Sequence, residues 1–359
     1  MTPTDSRRSV VPPYLLHAVA QAAEFPRAAS AARTALASLE AVQAPKHRHL
    51  VAPRSLSSTG TGTGTGTGTV DRSPQRTIAD ARGTTTLPGA VVRREGDADT
   101  GDAAVDEAYA GLGATHAFWL DVFGRVSIDG AGLPLDATVH FGQDYDNAYW
   151  DGSRMVFGDG DDEVFRRFTI ALDVIGHELA HGVTQYTADL TYQGQSGALN
   201  ESISDVFGSL VAQYAAGQTA DQASWLIGEG LFTDAVHGDA LRSMRAPGTA
   251  YDDPVLGKDP QPATMADFVV TTDDAGGVHT NSGIPNHAFF LAATSIGGHA
   301  WQGAGAVWWD ALTSDAVTAS IDFAGFAAVT ITAAGSRFGA GSAEHTAVQD
   351  AWRTVGVLG

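Results

Sequence analysis

Cysteine is absent from the 359 residues. That excludes disulfides, thiol nucleophiles, iron–sulfur clusters and any zinc site built on thiolates, so a metal in this chain must be held by His and carboxylates. Basic side chains are scarce too. The 21 Lys+Arg face 41 Asp+Glu for a net charge of −20, which argues against nucleic acid, whose binding rests on neutralising phosphates. Long apolar runs are missing, and nothing approaches the ~18–20 residues that span a bilayer. The opening MTPTDSRRSVVPPYLLHAVAQAAE is broken by Pro12, Pro13 and His17, unlike the unbroken apolar stretch of a signal peptide. The expectation is a cytoplasmic protein, any export following a non-classical route. Disorder is excluded by the 43% hydrophobic content, and the length suits about two domains, each burying a core.

Charge and composition divide the chain. Residues 1–95 carry 12 Lys+Arg and 6 Asp+Glu, whereas residues 96–359 carry 9 and 35, so a basic N-terminal segment can dock on an acidic body. An acidic surface that serves only solubility is the alternative. AASAARTALASLEAVQ (residues 28–43) is Ala-rich and predicts helix. SLSSTGTGTGTGTGT (55–69) has no side chains worth burying and reads as a flexible linker. From 76 to 170, Gly, Asp, Val and aromatics predominate, and RVSID (125–129) and ATVHFG (137–142) read as strands. After about Phe168 the spacing becomes helical.

The richest segment is IALDVIGHELAHGVTQYTADLTYQGQSGALNESISDVFGSLVAQY, residues 170–214. Leu172, Ile175, Leu179 and Val183 make one apolar helix face. His177 and His181, four apart, project together from another face and can reach one zinc ion. Glu178 lies about 100° round the helix, where it can meet a metal-bound water without being a ligand. In a second helix Ile203, Val206, Phe207, Leu210 and Tyr214 form the stripe, with Glu201 and Asp205 on a different face. A return after Gly194 and Gly197 would bring Glu201 to the His pair. Catalytic zinc takes three protein ligands and an open position, which His177, His181 and Glu201 supply; Asp205 would accept the spare N–H of a ligating His. Two surface histidines and solvated acids remain the alternative on these residues alone.

HELAH, followed 24 residues after its first His by the Glu of GALNESISD, resembles the thermolysin family of zinc metallopeptidases. TTLPG (85–89), NAYWDGSRMVFGDGD (147–161), LRSM (241–244) and GGVHTNSGIPNHAF (276–289) match in order, so the resemblance covers nearly all of residues 72–359. VVPPYLL (10–16) and a short prosegment resemble the protealysin-like branch, which carries a compact inhibitory propeptide. The resemblance implies an α+β, two-lobed thermolysin-like fold. A strand-rich N-terminal lobe and a mainly α-helical C-terminal lobe would flank the zinc site in their cleft, preceded by a small helical propeptide. The expected boundaries are 1–50 for the propeptide, 51–70 for the linker, and 71–185 and 186–359 for the lobes.

The resemblance further implies a zinc endopeptidase made as a latent precursor and cut between about residues 45 and 75. Glu178 is its general base, and an apolar residue follows the scissile bond. His279 and Tyr192 match donors to the oxyanion, and Asp274 the residue orienting that His. Asn147 and Ala148 match the edge-strand positions that bind substrate backbone, and Arg242 an arginine beside the pocket after the cut. Peptide or protein substrates, the chain's own propeptide and a proteinaceous inhibitor are the partners implied. Of five acidic positions that hold a calcium pair in secreted relatives, Asp173 and Glu229 remain while Ala212, Ser224 and Leu226 replace the rest, so the double calcium site is expected to be absent. Thr233 and Asp239 leave a single calcium site open. Two other readings stay in play, a catalytically inactive binding protein with this fold and a zinc aminopeptidase.

Overall fold

A computed structural model of the chain describes residues 8–41 and 72–359. The Thr/Gly-rich stretch and the expected processing window up to residue 71 lie outside the described residues. The N-terminal segment is a short strand β1 (Arg8–Ser9) and two helices, α1 (Pro13–Val19) and α2 (Pro26–Ala41). Pro13 sits in the first turn of α1, where its missing N–H costs nothing and its fixed φ suits the helix.

The first lobe contributes β2 (Arg76–Asp80), β3 (Ala90–Arg94), β4 (Leu135–Val139), β5 (Ala148–Trp150) and β6 (Met155–Phe157). They form one mixed six-stranded sheet in the order β1-β5-β6-β4-β2-β3, so the N-terminal segment itself supplies an edge strand. β2, β4 and β6 run parallel, while β5 and β1 are antiparallel to their neighbours.

Two sequence expectations fail in this lobe. Residues 125–129 are a turn, because Ser127 takes φ 61° and the Arg125 guanidinium folds back onto the Ile128 carbonyl. A 21-residue helix, α3 (Ala103–Phe123), stands where strands were expected, capped by the Asp102 carboxylate and ended by left-handed Gly124. Gly111 inside α3 lowers its helix propensity, yet a Cβ there would lie 2.3 Å from Ile175 Cδ1.

The next two helices are α4 (Leu172–Gln185) and α5 (Gly194–Ala216). Every residue of α4 from Asp173 to Thr184 is buried, so the helix is enclosed rather than amphipathic. A Cβ on Gly208 of α5 would fall 2.3 Å from the Asp173 carbonyl and 2.9 Å from His177 N. Only glycine allows the two helices to cross this closely, and the crossing sets Glu201 opposite the histidines. Gly194 and Gly197 lie inside α5 rather than before it.

The second lobe adds two-stranded ribbons, β7 (Leu226–Ile227) with β8 (Arg242–Ser243) and β9 (Asp252–Asp253) with β10 (Gly257–Lys258). The helices α6 (Asp274–Asn281), α7 (Gly283–Ile296), α8 (Ala304–Leu312), α9 (Phe323–Phe338) and α10 (Ala343–Thr354) complete it. Residues 217–273 are therefore mostly loop and ribbon. Among the described residues no helix is long and apolar enough to cross a membrane.

Candidate metal centre and cleft

His177 and His181 stand one turn apart on α4 with ring centroids 4.7 Å apart. Each Nδ1 is already engaged, so each Nε2 turns to the same point. His177 Nδ1 donates to Asp205 Oδ1 at 2.8 Å, while His181 Nδ1 lies 2.7 Å from Asn200 Oδ1 and 2.9 Å from Ser204 Oγ. Glu201 meets them from α5, at 3.5 Å from His177 Nε2 and 3.4 Å from His181 Nε2. Among the described residues this is the only group of three His or carboxylate side chains within reach of one ion.

All three are buried, and His177 Nε2 and Glu201 Oε2 have no hydrogen-bond partner. Buried polar atoms rarely go unsatisfied. His177, His181 and Glu201 converge as the N/O set that zinc favours, and they fit a metal ion.

Asp205 is the hub behind the centre. It accepts from His177, twice from Arg242 at 2.7 and 2.8 Å, and from Asn286 Nδ2 at 2.8 Å. Burial alone would raise its pKa, but Arg242 and His177 outweigh that and hold it well below the usual carboxylate range.

On the cleft side, the Tyr192 hydroxyl bonds Glu201 and lies 3.3 Å from His279 Nε2. Asp274 grips His279 twice, Oδ1 at 2.6 Å from Nδ1 and Oδ2 accepting the backbone N–H at 2.8 Å. The four residues from Asp274 to Gly277 all have positive φ, including 50° at Asp274 and 49° at Ala275, and this left-handed turn swings the carboxylate back onto the ring. Such strain persists only where surrounding structure enforces it, and it clusters at functional sites. Burial alone would depress the His279 pKa, but Asp274 and Glu201 hold it up at about 9. Glu178 Oε2 accepts the Trp150 backbone N–H at 2.9 Å, which aims the carboxylate from α4 toward β5.

The chain's own N-terminal segment lies across this cleft in extended form. Ser9 O accepts from His279 Nε2 at 3.0 Å. Val10 N–H donates to Ala148 O at 3.2 Å, and Val10 O accepts from Arg242 Nη1 at 2.8 Å. Asn147 clamps Val11 from both sides, Oδ1 accepting its N–H at 3.0 Å and Nδ2 donating to its carbonyl at 3.3 Å. The segment continues beyond Ser9, with Arg8 paired to Trp150 across the strands, so the cleft is open at both ends.

Docking rests more on apolar contact than on charge. Val10, Val11, Leu15, Leu16, Val19, Ala28, Ala32 and Ala35 are fully buried, while among the described residues one ion pair to the body joins Arg27 and Asp144 at 2.5 Å. Glu163 caps α2 by accepting from Arg27 N and Ala28 N.

All eleven residues singled out in the sequence thus converge on one cleft. Asn200, Ser204, Asn286 and Gln261, which donates to the His279 carbonyl at 2.7 Å, were missed. Asn200, Ser204 and Asn286, inside helices, read like solvent-facing positions, Gln261 like any loop residue, and no spacing marked them. His287, left aside in the sequence, bonds the Ala263 carbonyl away from the centre.

Family models for the thermolysin metallopeptidase catalytic domain and α-helical domain match residues 59–185 and 188–357. An extracellular metalloprotease of Pectobacterium carotovorum subsp. carotovorum is 56% identical over 285 residues, 79% of this chain and 81% of that one. An extracellular minor metalloprotease of Serratia marcescens is 43% identical, over 83% and 80% of the two chains. The solved precursor of protealysin, a metalloproteinase from Serratia proteamaculans, superposes with TM-score 0.85 at 51% identity, over 98% of this chain and all of that one. The names of the first two relatives overturn the cytoplasmic expectation. A signal peptide marks one export route and does not by itself decide where a protein ends up.

Proposed function

This chain belongs to the thermolysin family and is a zinc metalloendopeptidase with a protealysin-like precursor fold, and on that premise we propose how its residues divide the work. His177, His181 and Glu201 hold the zinc, oriented from behind by Asp205, Asn200 and Ser204. When bound, zinc supplies Lewis acidity at the scissile carbonyl and lowers the pKa of water toward 7. Glu178 takes a proton from the attacking water and passes it to the leaving amine. His279, steadied by Asp274, and Tyr192 donate to the carbonyl oxygen as negative charge develops there, each such donor contributing about 2.7–4 kcal/mol. Asn147 and Ala148 fix the substrate backbone, and Arg242 holds the carbonyl of the residue after the cut.

The observation that carries this reading is the N-terminal segment itself, whose backbone meets each of these binding groups in turn. Residues 1–50 are then a latent prosegment that closes the cleft, 51–70 a linker, and 71–185 and 186–359 the two lobes. Val10, fully buried, supports a preference for an apolar residue after the cut. The docked segment runs on past Ser9 to Arg8 beside Trp150, and that passage along the edge strand supports internal cleavage over aminopeptidase action. A proteinaceous inhibitor that offers an extended strand would use the same edge. The enzyme acts outside the cell, as its extracellular relatives do by name.

The double calcium site is absent in this reading, with Asp173 turned inward to accept from Gly228 N at 2.5 Å and Glu229 exposed. Thr233 and Asp239 leave the single site to a calcium titration. The functional test pairs zinc content with turnover of an N-terminally blocked peptide after the prosegment is removed. Glu178→Ala should keep zinc and lose turnover; substantial residual turnover refutes the role given to Glu178.

A further inference from the structure

The segment in the cleft is in register for reaction, not merely in the way. Ser9 offers its carbonyl to His279, the group proposed to stabilise the oxyanion. Val10 stands on the leaving side with its N–H on Ala148 O and its carbonyl on Arg242, and Val11 is held by Asn147. The geometry points to the Ser9–Val10 peptide bond as a self-cleavage site, clipped by this chain's own centre while Val10 and everything after it stay in the cleft and keep it closed. This rests on the proposed roles of Glu178 and His279.

The step is ordinary hydrolysis. The Ser9 C–Val10 N bond breaks, the water oxygen ends in the new Ser9 carboxylate, and a water proton passes through Glu178 to the Val10 amine.

The clipped segment stays because, among the described residues, most of its anchorage follows the bond. Clipping frees the two-residue strand β1 and the Ser9–His279 contact. Val11, Leu15, Leu16, Val19 and the buried alanines of α2, the Glu163 cap and the Arg27–Asp144 pair all follow Val10. Ser9 and Val10 are buried, so a second protease molecule cannot reach the bond while the segment is docked. The prosegment therefore acts as a bound substrate that becomes a bound product, and clipping and activation are separate events.

The test follows the full-length, zinc-loaded chain by intact mass and N-terminal sequencing. The expected product starts at Val10 and forms in a first-order process whose rate is independent of protein concentration. It is missing from Glu178→Ala and from Val10→Pro, which lacks the N–H donated to Ala148. Turnover of a blocked peptide stays at the level of the unclipped chain until trypsin removes the rest of the prosegment. Hydrogen exchange on the metal-free full chain gives a readout apart from activity, and slowed exchange at Val10 and Val11 is expected. Free exchange there overturns the register. A trypsin-treated chain that is active, beside an untreated one that keeps its first nine residues, overturns this inference alone. Inert chain after trypsin overturns the peptidase roles and this inference with them. A chain starting at Val10 that is as active as the trypsin-treated one refutes the claim that the remainder keeps the cleft closed.

Discussion

Replacing Asp205 by Asn keeps the shape of the residue behind the metal centre and removes its charge. Four hydrogen bonds end on this carboxylate, two of them from Arg242, which is itself fully buried. The substitution leaves a guanidinium in the interior without its counter-charge, and breaking one side of a buried pair costs about 3–5 kcal/mol. For a body of this size that lowers Tm by roughly 5–10 °C. Loss of the charge opposite His177 Nδ1 should also weaken zinc by roughly 10–100-fold. Calorimetry of the metal-free protein isolates the first effect, and competition with a chelator the second. Replacing both partners, Asp205→Asn with Arg242→Met, should recover most of the lost stability, because an apolar substitute for a buried pair is often near neutral, while zinc stays weak. If the single variant melts within about 2 °C of wild type, Asp205 is not the electrostatic support of Arg242. If zinc binding is unchanged, it does not orient His177.

His140 sits between Asp159 at 2.8 Å and Asp102 at 3.1 Å, which hold its pKa up at about 9. The pair therefore stabilises fully below about pH 6.5 and is lost as pH rises through about 9. His140→Gln should cost about 1 kcal/mol in the acid range, since both carboxylates are partly exposed to screening solvent, and nothing above about pH 10; a pH-independent loss refutes the ion-pair account. Burial raises the Asp173 pKa to about 6, only partly offset by the Gly228 N–H, so the carboxylate weighs against folding as pH rises through that value. Asp173→Asn should raise the free energy of unfolding at about pH 8 by on the order of 2 kcal/mol, with the gain shrinking toward pH 5; equal gain at both rules out titration of Asp173. A Cβ on Gly197 would lie 2.4 Å from Val278 Cγ1 and 3.0 Å from the Tyr192 carbonyl carbon. Gly197→Ala should cost about 1–3 kcal/mol and lower kcat by displacing Tyr192, and an unaltered kcat would show that Tyr192 does not need this packing.

The metal centre was legible because its chemistry is local. His177, Glu178 and His181 fall within one turn and a quarter of α4, and Glu201 and Asp205 repeat the same spacing on α5, so helical periodicity alone pairs them. What escaped notice depends on contacts between distant segments. Asn200 and Ser204 look like polar positions of any helix until His181 is placed against them. Helix α3 hides behind Gly111 and Gly113, which lower propensity and make room for Ile175 and Arg76. Gly194 and Gly197 suggested a turn, yet Gly197 is small so that α5 can press on Val278 and Tyr192. The two residues of β1 are too few for any periodicity, so the passage of the N-terminus through the cleft could be seen only once β5 was in place beside it.

That short strand also limits what the enzyme can attack. β5 lies at the end of the sheet once β1 leaves, and it binds through N–H and C=O groups that every peptide possesses. Recognition is then mostly indifferent to side chains and sensitive to shape. A target must surrender at least three consecutive residues from its own secondary structure, with free N–H groups where Val10 and Val11 now stand. Helices and internal strands cannot do that without unfolding, and proline cannot do it at all. Frayed termini, long surface loops and unfolded chains become the natural prey, so the folding stability of a neighbouring protein, more than its sequence, decides whether it survives.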